Sequence, residues 1–165
     1  MKKTFNVAGL CHPNKHYMLP SQERCQSLMQ LIEQEQYFVI HAARQSGKTT
    51  LLLELAQQLN ETGEYYALYC SLETTQGISE AKEGIPAIVK ALKFEVEMNE
   101  QLSHYSFAQS ADYSDFTTIL LRVLSQFCRQ LDKPLIIGVR VKLKVVLQYV
   151  VVIVLNCNKI NILIN

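Results

Sequence analysis

Apolar positions change their spacing several times along the chain, and each change marks an element. Leu28, Met29, Leu31 and Ile32 recur at helical intervals behind Ser21, a capping residue type, and predict a helix over 21–35. Tyr37-Phe38-Val39-Ile40, aromatic and β-branched, reads as a strand that stops at a small-residue loop. An amphipathic helix follows from Thr49 through Leu51, Leu52, Leu55 and Leu59 to about Asn60, with Gly63 as its terminator. Tyr65 to Leu72 is a second strand, and the polar stretch 73–84 with Gly77 and Gly84 is a loop. Ile85, Ile88, Val89, Leu92 and Val96 share one helical face, so a helix is expected to Met98 with Pro86 in its first turn. Residues 99–114 show no sustained period. From Asp115, a capping residue type, Phe116, Ile119, Leu120, Val123, Leu124 and Phe127 form another stripe. Leu135-Ile136-Ile137 opens a third strand that runs on through Gly138 towards Lys144. Strand, helix, strand in that order predicts a crossover helix between parallel strands, hence an α/β fold with an incomplete parallel sheet flanked by helices.

The 165 residues suit one domain with a core of its own, and a formal net charge of +1 gives no broad electrostatic argument for nucleic acid. Five cysteines, Cys11, Cys25, Cys70, Cys128 and Cys157, are scattered without a C-x-x-C pair, which fits free thiols in a reducing cytosol. The basic start, Met1-Lys2-Lys3, lacks the apolar run of a signal peptide, so a cytoplasmic location is expected. Cys11, His12 and His16 invite a metal reading, but with no further ligand cluster nearby they read better as ordinary polar loop positions.

The loop between the first strand and its helix carries the chemistry. It fits G-x-x-x-x-G-K-[ST] with Ala42 in the first glycine slot, followed by Gly47, Lys48 and Thr49. Gly47 has no Cβ, so main-chain amides can approach phosphate oxygens, and the first turn of the helix adds its unpaired N–H groups and the positive end of its dipole. Lys48 would reach the β- and γ-phosphates, and the Thr49 hydroxyl would take one position on Mg²⁺. The fold expectation sharpens to a P-loop NTPase-like one. Its ligand is ATP, or a nucleoside triphosphate generally, with Ala43, Arg44, Gln45, Ser46, Gly47, Lys48, Thr49 and Thr50 around the phosphates. Arg44 reads equally as a phosphate contact or as the partner of an acidic surface residue.

Beyond Ile137 the pattern breaks. A strand in this position of a P-loop ATPase ends in acidic residues that hold Mg²⁺ through water and polarise the attacking water. Here it continues Gly138-Val139-Arg140-Val141-Lys142, and no Asp or Glu occurs after Asp132. No catalytic residue can therefore be named, and hydrolysis is doubtful. The remaining valine- and isoleucine-rich run has an uninterrupted apolar core, Tyr149 to Leu155, far shorter than the ~20 residues of a spanning helix. Its β-branched composition suits a buried or aggregation-prone strand. So abrupt a shift also predicts a tail read out of frame or a truncated gene, which divides the chain into 1–137 and an aberrant hydrophobic tail, 138–165. Asn158-Lys159-Ile160-Asn161 lacks the aspartate of a guanine-reading element.

Up to Ile137 the chain resembles the bacterial AAA-like P-loop ATPases. The resemblance rests on Phe5-Asn6 with Gly9, Pro13 and His16-Tyr17-Met18, on Arg44-Gln45-Ser46-Gly47-Lys48-Thr49-Thr50, on the strand Tyr65 to Leu72 ending at Glu73, and on Leu131 to Ile137. It implies a lead-in that lies against adenine, with Pro13, Tyr17 and Met18 as candidates for base contacts; packing of Tyr17 and Met18 under the sheet is the alternative. It also implies strand order 5-1-4-3-2. The first strand would then neighbour a fourth, and Val145 to Leu155 could fill that slot as a surrogate strand.

Two functions compete on these grounds. One is an ATP-binding domain with weak or absent hydrolysis, and the other a non-catalytic fragment that meets a protein partner through its hydrophobic tail. A small-molecule kinase would need arginines in a lid, and none lies between Glu73 and Asp115.

Overall fold

The computed structural model describes residues 3–5, 14–17, 22–41, 46–109, 111–143 and 147–155. It is a mixed α/β structure in which helices cover both faces of a four-stranded sheet. In chain order the elements are α1 (Gln22–Glu33), β1 (Phe38–His41), α2 (Lys48–Thr62), β2 (Tyr66–Ser71), the short 3₁₀ turn Glu73–Thr75, α3 (Ala81–Met98), α4 (Ile119–Cys128), β3 (Leu135–Leu143) and β4 (Leu147–Leu155).

The strands lie in the order β1-β4-β3-β2. β2 and β3 pair in parallel from Tyr66 opposite Leu135 to Ser71 opposite Arg140. β4 pairs antiparallel with both neighbours, Gly138 and Phe38 each standing opposite Val152. The apolar run after Ile137 thus occupies the slot between β1 and β3 that the sequence left for a surrogate strand. The expectation of a parallel sheet is corrected at this strand. Only residues 144–146 separate β3 from β4, and a connection that short can form a hairpin but not the crossover of a dozen or more residues that a parallel neighbour needs.

Alternation along the strands divides the core in two. Ala67, Ile136 and Val152 face one way and meet Leu51, Leu52, Leu55 and Leu59 of α2 and Ile32 of α1. Leu68, Cys70, Leu135, Ile137 and Val139 face the other way and meet Val89, Leu92 and Val96 of α3 with Ile119, Val123 and Phe127 of α4. Gly138 lies on the α2 side, where a Cβ would stand 3.4 Å from Leu52 Cδ2, in van der Waals contact with the helix. At the outer edge of β2 the Asn60 side chain substitutes for a further strand, donating to Ala67 O at 2.9 Å and accepting from Ala67 N–H at 2.8 Å.

Two boundaries differ from those expected. α3 begins at Ala81, a turn before Pro86, because the N–H groups of Glu83 and Gly84 already bond Glu80 O at 3.0 and 2.9 Å. The bond that Pro86 cannot make would end on Lys82, in the exposed first turn, where water can serve the carbonyl. α4 begins at Ile119, not Asp115; the Asp115 carboxylate instead ties a preceding turn together through the side chains of Thr117 and Thr118. The aperiodic 99–114 stretch nevertheless sends Leu102 and Phe107 into the core. Gln130 holds it by accepting from Ser106 N–H at 3.0 Å and donating to Ser106 O at 2.8 Å.

Cys70 and Cys128 are buried and in no disulfide, and burial, with the charge of Glu95 behind it, pushes the Cys70 thiol up to about 12. Among the described residues no helix is long and apolar enough to cross a membrane.

Two measurements check this arrangement. Val152→Asp places a carboxylate at a position with no exposed surface, and is expected to cost at least about 3 kcal/mol in urea unfolding; an unchanged midpoint would place β4 outside the core. Asn60→Ala removes both edge bonds, and a loss of about 1–3 kcal/mol is expected, with faster amide exchange at Ala67 as the local signature.

Candidate phosphate-binding site

β1, β2 and β3 all end at one edge of the sheet, and α2 starts there. Gly47 takes a left-handed conformation, φ 81° and ψ 15°, and serves as the N-cap of α2; the first helical bond runs from Leu51 N–H to Gly47 O at 2.9 Å. A side chain at Gly47 would be strained by that φ although no neighbour stands within 4 Å. The helix itself offers no acceptor for the amides of Lys48, Thr49 and Thr50 in its first turn, so they and the dipole mark this end as electropositive.

Lys48 is the only charged side chain among the buried described residues, at 7% exposure. Its ammonium donates to Ser46 Oγ at 3.2 Å, folding back over its own loop. Its pKa is lowered, chiefly by burial and then by the positive charge of Arg140. Arg140, on β3, donates from Nη2 to Glu73 Oε1 at 2.7 Å, while Arg140 Nε is buried with no hydrogen-bond partner. Glu73 opens the 3₁₀ turn directly after β2. The residues that meet at this edge are therefore Ser46, Gly47, Lys48 and Thr49 from the loop and helix, Glu73 from the end of β2, and Arg140 from β3.

The expected site is placed in part. Ser46, Gly47, Lys48, Thr49 and Thr50 lie together, with Thr49 and Thr50 half-buried in the first turn of α2. Ala43, Arg44 and Gln45, together with Ala42, lie outside the described residues, as do Pro13, Met18, Cys11 and His12. Tyr17 is 54% exposed, which excludes packing under the sheet; its ring meets that of Phe5 at a tilt, 5.1 Å between centroids, and a bridge between Thr4 and His16 joins the two short segments. Arg140 is the residue that sequence reasoning missed. It was visible there only as the wrong charge where an acid was sought.

The donor set bears on the metal expected at Thr49. Among the described residues no group of three His, Cys, Asp or Glu side chains could hold an ion. Glu73, the carboxylate that β2 brings to this edge, is already bound to Arg140. Thr49 contributes one hydroxyl, and the neighbouring cation repels a second positive charge. These residues do not build a resident Mg²⁺ site.

Along the outer edge of β2 a shallow cavity of about 250 Å³ lies between α2, β2 and α3, lined by Leu53, Ala56, Tyr69, Glu95 and Met98 among others. Burial raises the pKa of Glu95 there. It holds none of the expected site residues.

No protein-family model, curated protein or solved structure matches the chain.

Proposed function

We propose that this is a P-loop NTPase-like domain that binds a nucleoside triphosphate, ATP being the expected one, through the loop and helix start at residues 43–50, and that it turns the nucleotide over weakly or not at all. The observation that carries the proposal is the Lys48 side chain, 7% exposed, set directly behind a left-handed Gly47 at the N-terminus of α2. A lysine placed there meets phosphate oxygens as a point charge beside the positive end of the helix dipole. The strand-loop-helix order, β1 into α2, supports the same reading.

Weak or absent turnover follows from β3, which carries Arg140 where hydrolysis calls for a carboxylate. Mg²⁺ belongs to this proposal as the counter-ion the nucleotide brings with it, touching Thr49. The exposed Tyr17 ring is available for a base. The competing idea of a sticky hydrophobic tail loses its surface over 147–155, because that segment is bonded into the sheet on both sides.

Calorimetric titration with a non-hydrolysable ATP analogue tests the proposal. Micromolar or tighter binding is expected, and Lys48→Ala should weaken it by about a hundredfold or more, the scale of a lost buried charge-assisted contact. Equal affinity in the variant, with its fold intact by circular dichroism, would refute the site.

A further inference from the structure

Arg140 reaches the loop by simple geometry. Gly138 faces α2, since a Cβ there would meet Leu52, and strand alternation brings Arg140, two residues on, back to the same face. α2 runs antiparallel to β3, as the crossover between β1 and β2 requires. From Leu52 back to Lys48 is about 6 Å of helix rise. From Gly138 on to Arg140 is about 6.6 Å of strand. The two cations therefore stand level, one on the helix and one on the sheet beneath it. The lowering of the Lys48 pKa by the Arg140 charge agrees with that placement.

A guanidinium has five N–H donors in a rigid fork. Arg140 spends one arm on Glu73, at 2.7 Å, and leaves Nε buried and unmatched. Its side chain is 21% exposed, so the group is neither dissolved in solvent nor fully paired inside. Two like charges at one end of a helix that is itself positive repel one another, and an anion between them relieves the repulsion. Glu73 is a partial answer to that charge, a single carboxylate bound to Arg140 at the margin.

Resting on the reading of this edge as a triphosphate site, we propose that Arg140 is its second cation, supplying the charge neutralisation that Mg²⁺ would otherwise provide, and that Glu73 is an internal carboxylate which the incoming phosphate displaces from Arg140. Triphosphate binding is then independent of metal. It is also held back by Glu73, so the two partners of one ion pair have opposite effects on affinity.

Equilibrium binding to the intact chain, of inorganic triphosphate and of a fluorescent ATP analogue, with Mg²⁺ and then with excess EDTA, tests this. The wild-type chain should bind both probes within a few-fold in the two buffers, on the strength of paired charge-assisted contacts. Arg140→Gln should weaken binding in EDTA by about tenfold or more, and less with Mg²⁺ present. Glu73→Gln should tighten it several-fold in EDTA by removing the competitor. An absolute need for Mg²⁺ in the wild type, or Arg140→Gln binding as well as wild type in EDTA, overturns the proposal while leaving nucleotide binding in place. Should Arg140→Gln fail to fold, Glu73→Gln decides alone, and unchanged or weaker binding overturns the proposal. Absence of binding in both buffers, or wild-type affinity in Lys48→Ala, overturns the underlying site instead.

Discussion

Main-chain hydrogen bonding on both sides of β4 is the constraint on which the rest depends. β1 touches the sheet only through β4, and β1 is the strand that leads into the loop and α2. Take β4 away and the strand that leads into the loop loses its pairing with the sheet, leaving Gly47 and Lys48 held relative to Arg140 by the packing of α2 alone. The pairing is secured from two directions. The hairpin connection sets its antiparallel sense, and Val152 sets its register by lying opposite both Phe38 and Gly138 while filling the core under α2. A one-residue slip would turn that side chain to the other face and break the match with both neighbours.

The depth at which α2 sits follows from the same centre. Leu52 packs over Gly138, and Lys48 lies one turn nearer the N-terminus on the same helix. Burial of the Lys48 side chain is therefore a packing result as much as a chemical one. Once the helix is seated there, the charge that β3 presents two residues further on decides what the edge can do. A carboxylate would hold a metal and orient water. A guanidinium attracts phosphate and does neither, so on the proposed reading the feature that would strengthen anion binding also leaves this edge without a means of turnover.

The far side of the sheet has its own anchor. The Tyr66 hydroxyl donates to Asp132 at 2.8 Å and meets the Tyr105 hydroxyl at 3.2 Å, which raises the Tyr66 pKa, first through Tyr105 and then through burial, and lowers that of Asp132. Tyr105 and Phe107 in turn contact Phe127 edge-on, at 6.5 and 4.9 Å between centroids. This cluster fastens the irregular 99–114 stretch to α4 and to the entry of β3, which is how a segment without periodicity becomes part of the core.

Local chemistry was enough to read much of this from the chain. Apolar spacing located α1, α2, α4 and the first three strands to within a few residues, Gly63 did end α2, and the Gly47-Lys48-Thr49 triplet lay at a strand-to-helix junction as its pattern requires. These are effects between near neighbours, and near neighbours are what a sequence displays. Pro86 misled because its place in a helix depends on what the preceding turn can bond, and Asp115 because a capping residue type can cap a turn as well as a helix. The sense of β4 was decided by a connection too short for a crossover. The approach of Lys48 to Arg140, 92 positions apart (140 − 48), rested on the packing of α2 over Gly138. Neither partner records the other in its own neighbourhood. Only the stacking of a helix on the sheet brings two like charges to one end of it, because their placement is fixed by rise per residue and packing depth, quantities that exist only once the chain has folded.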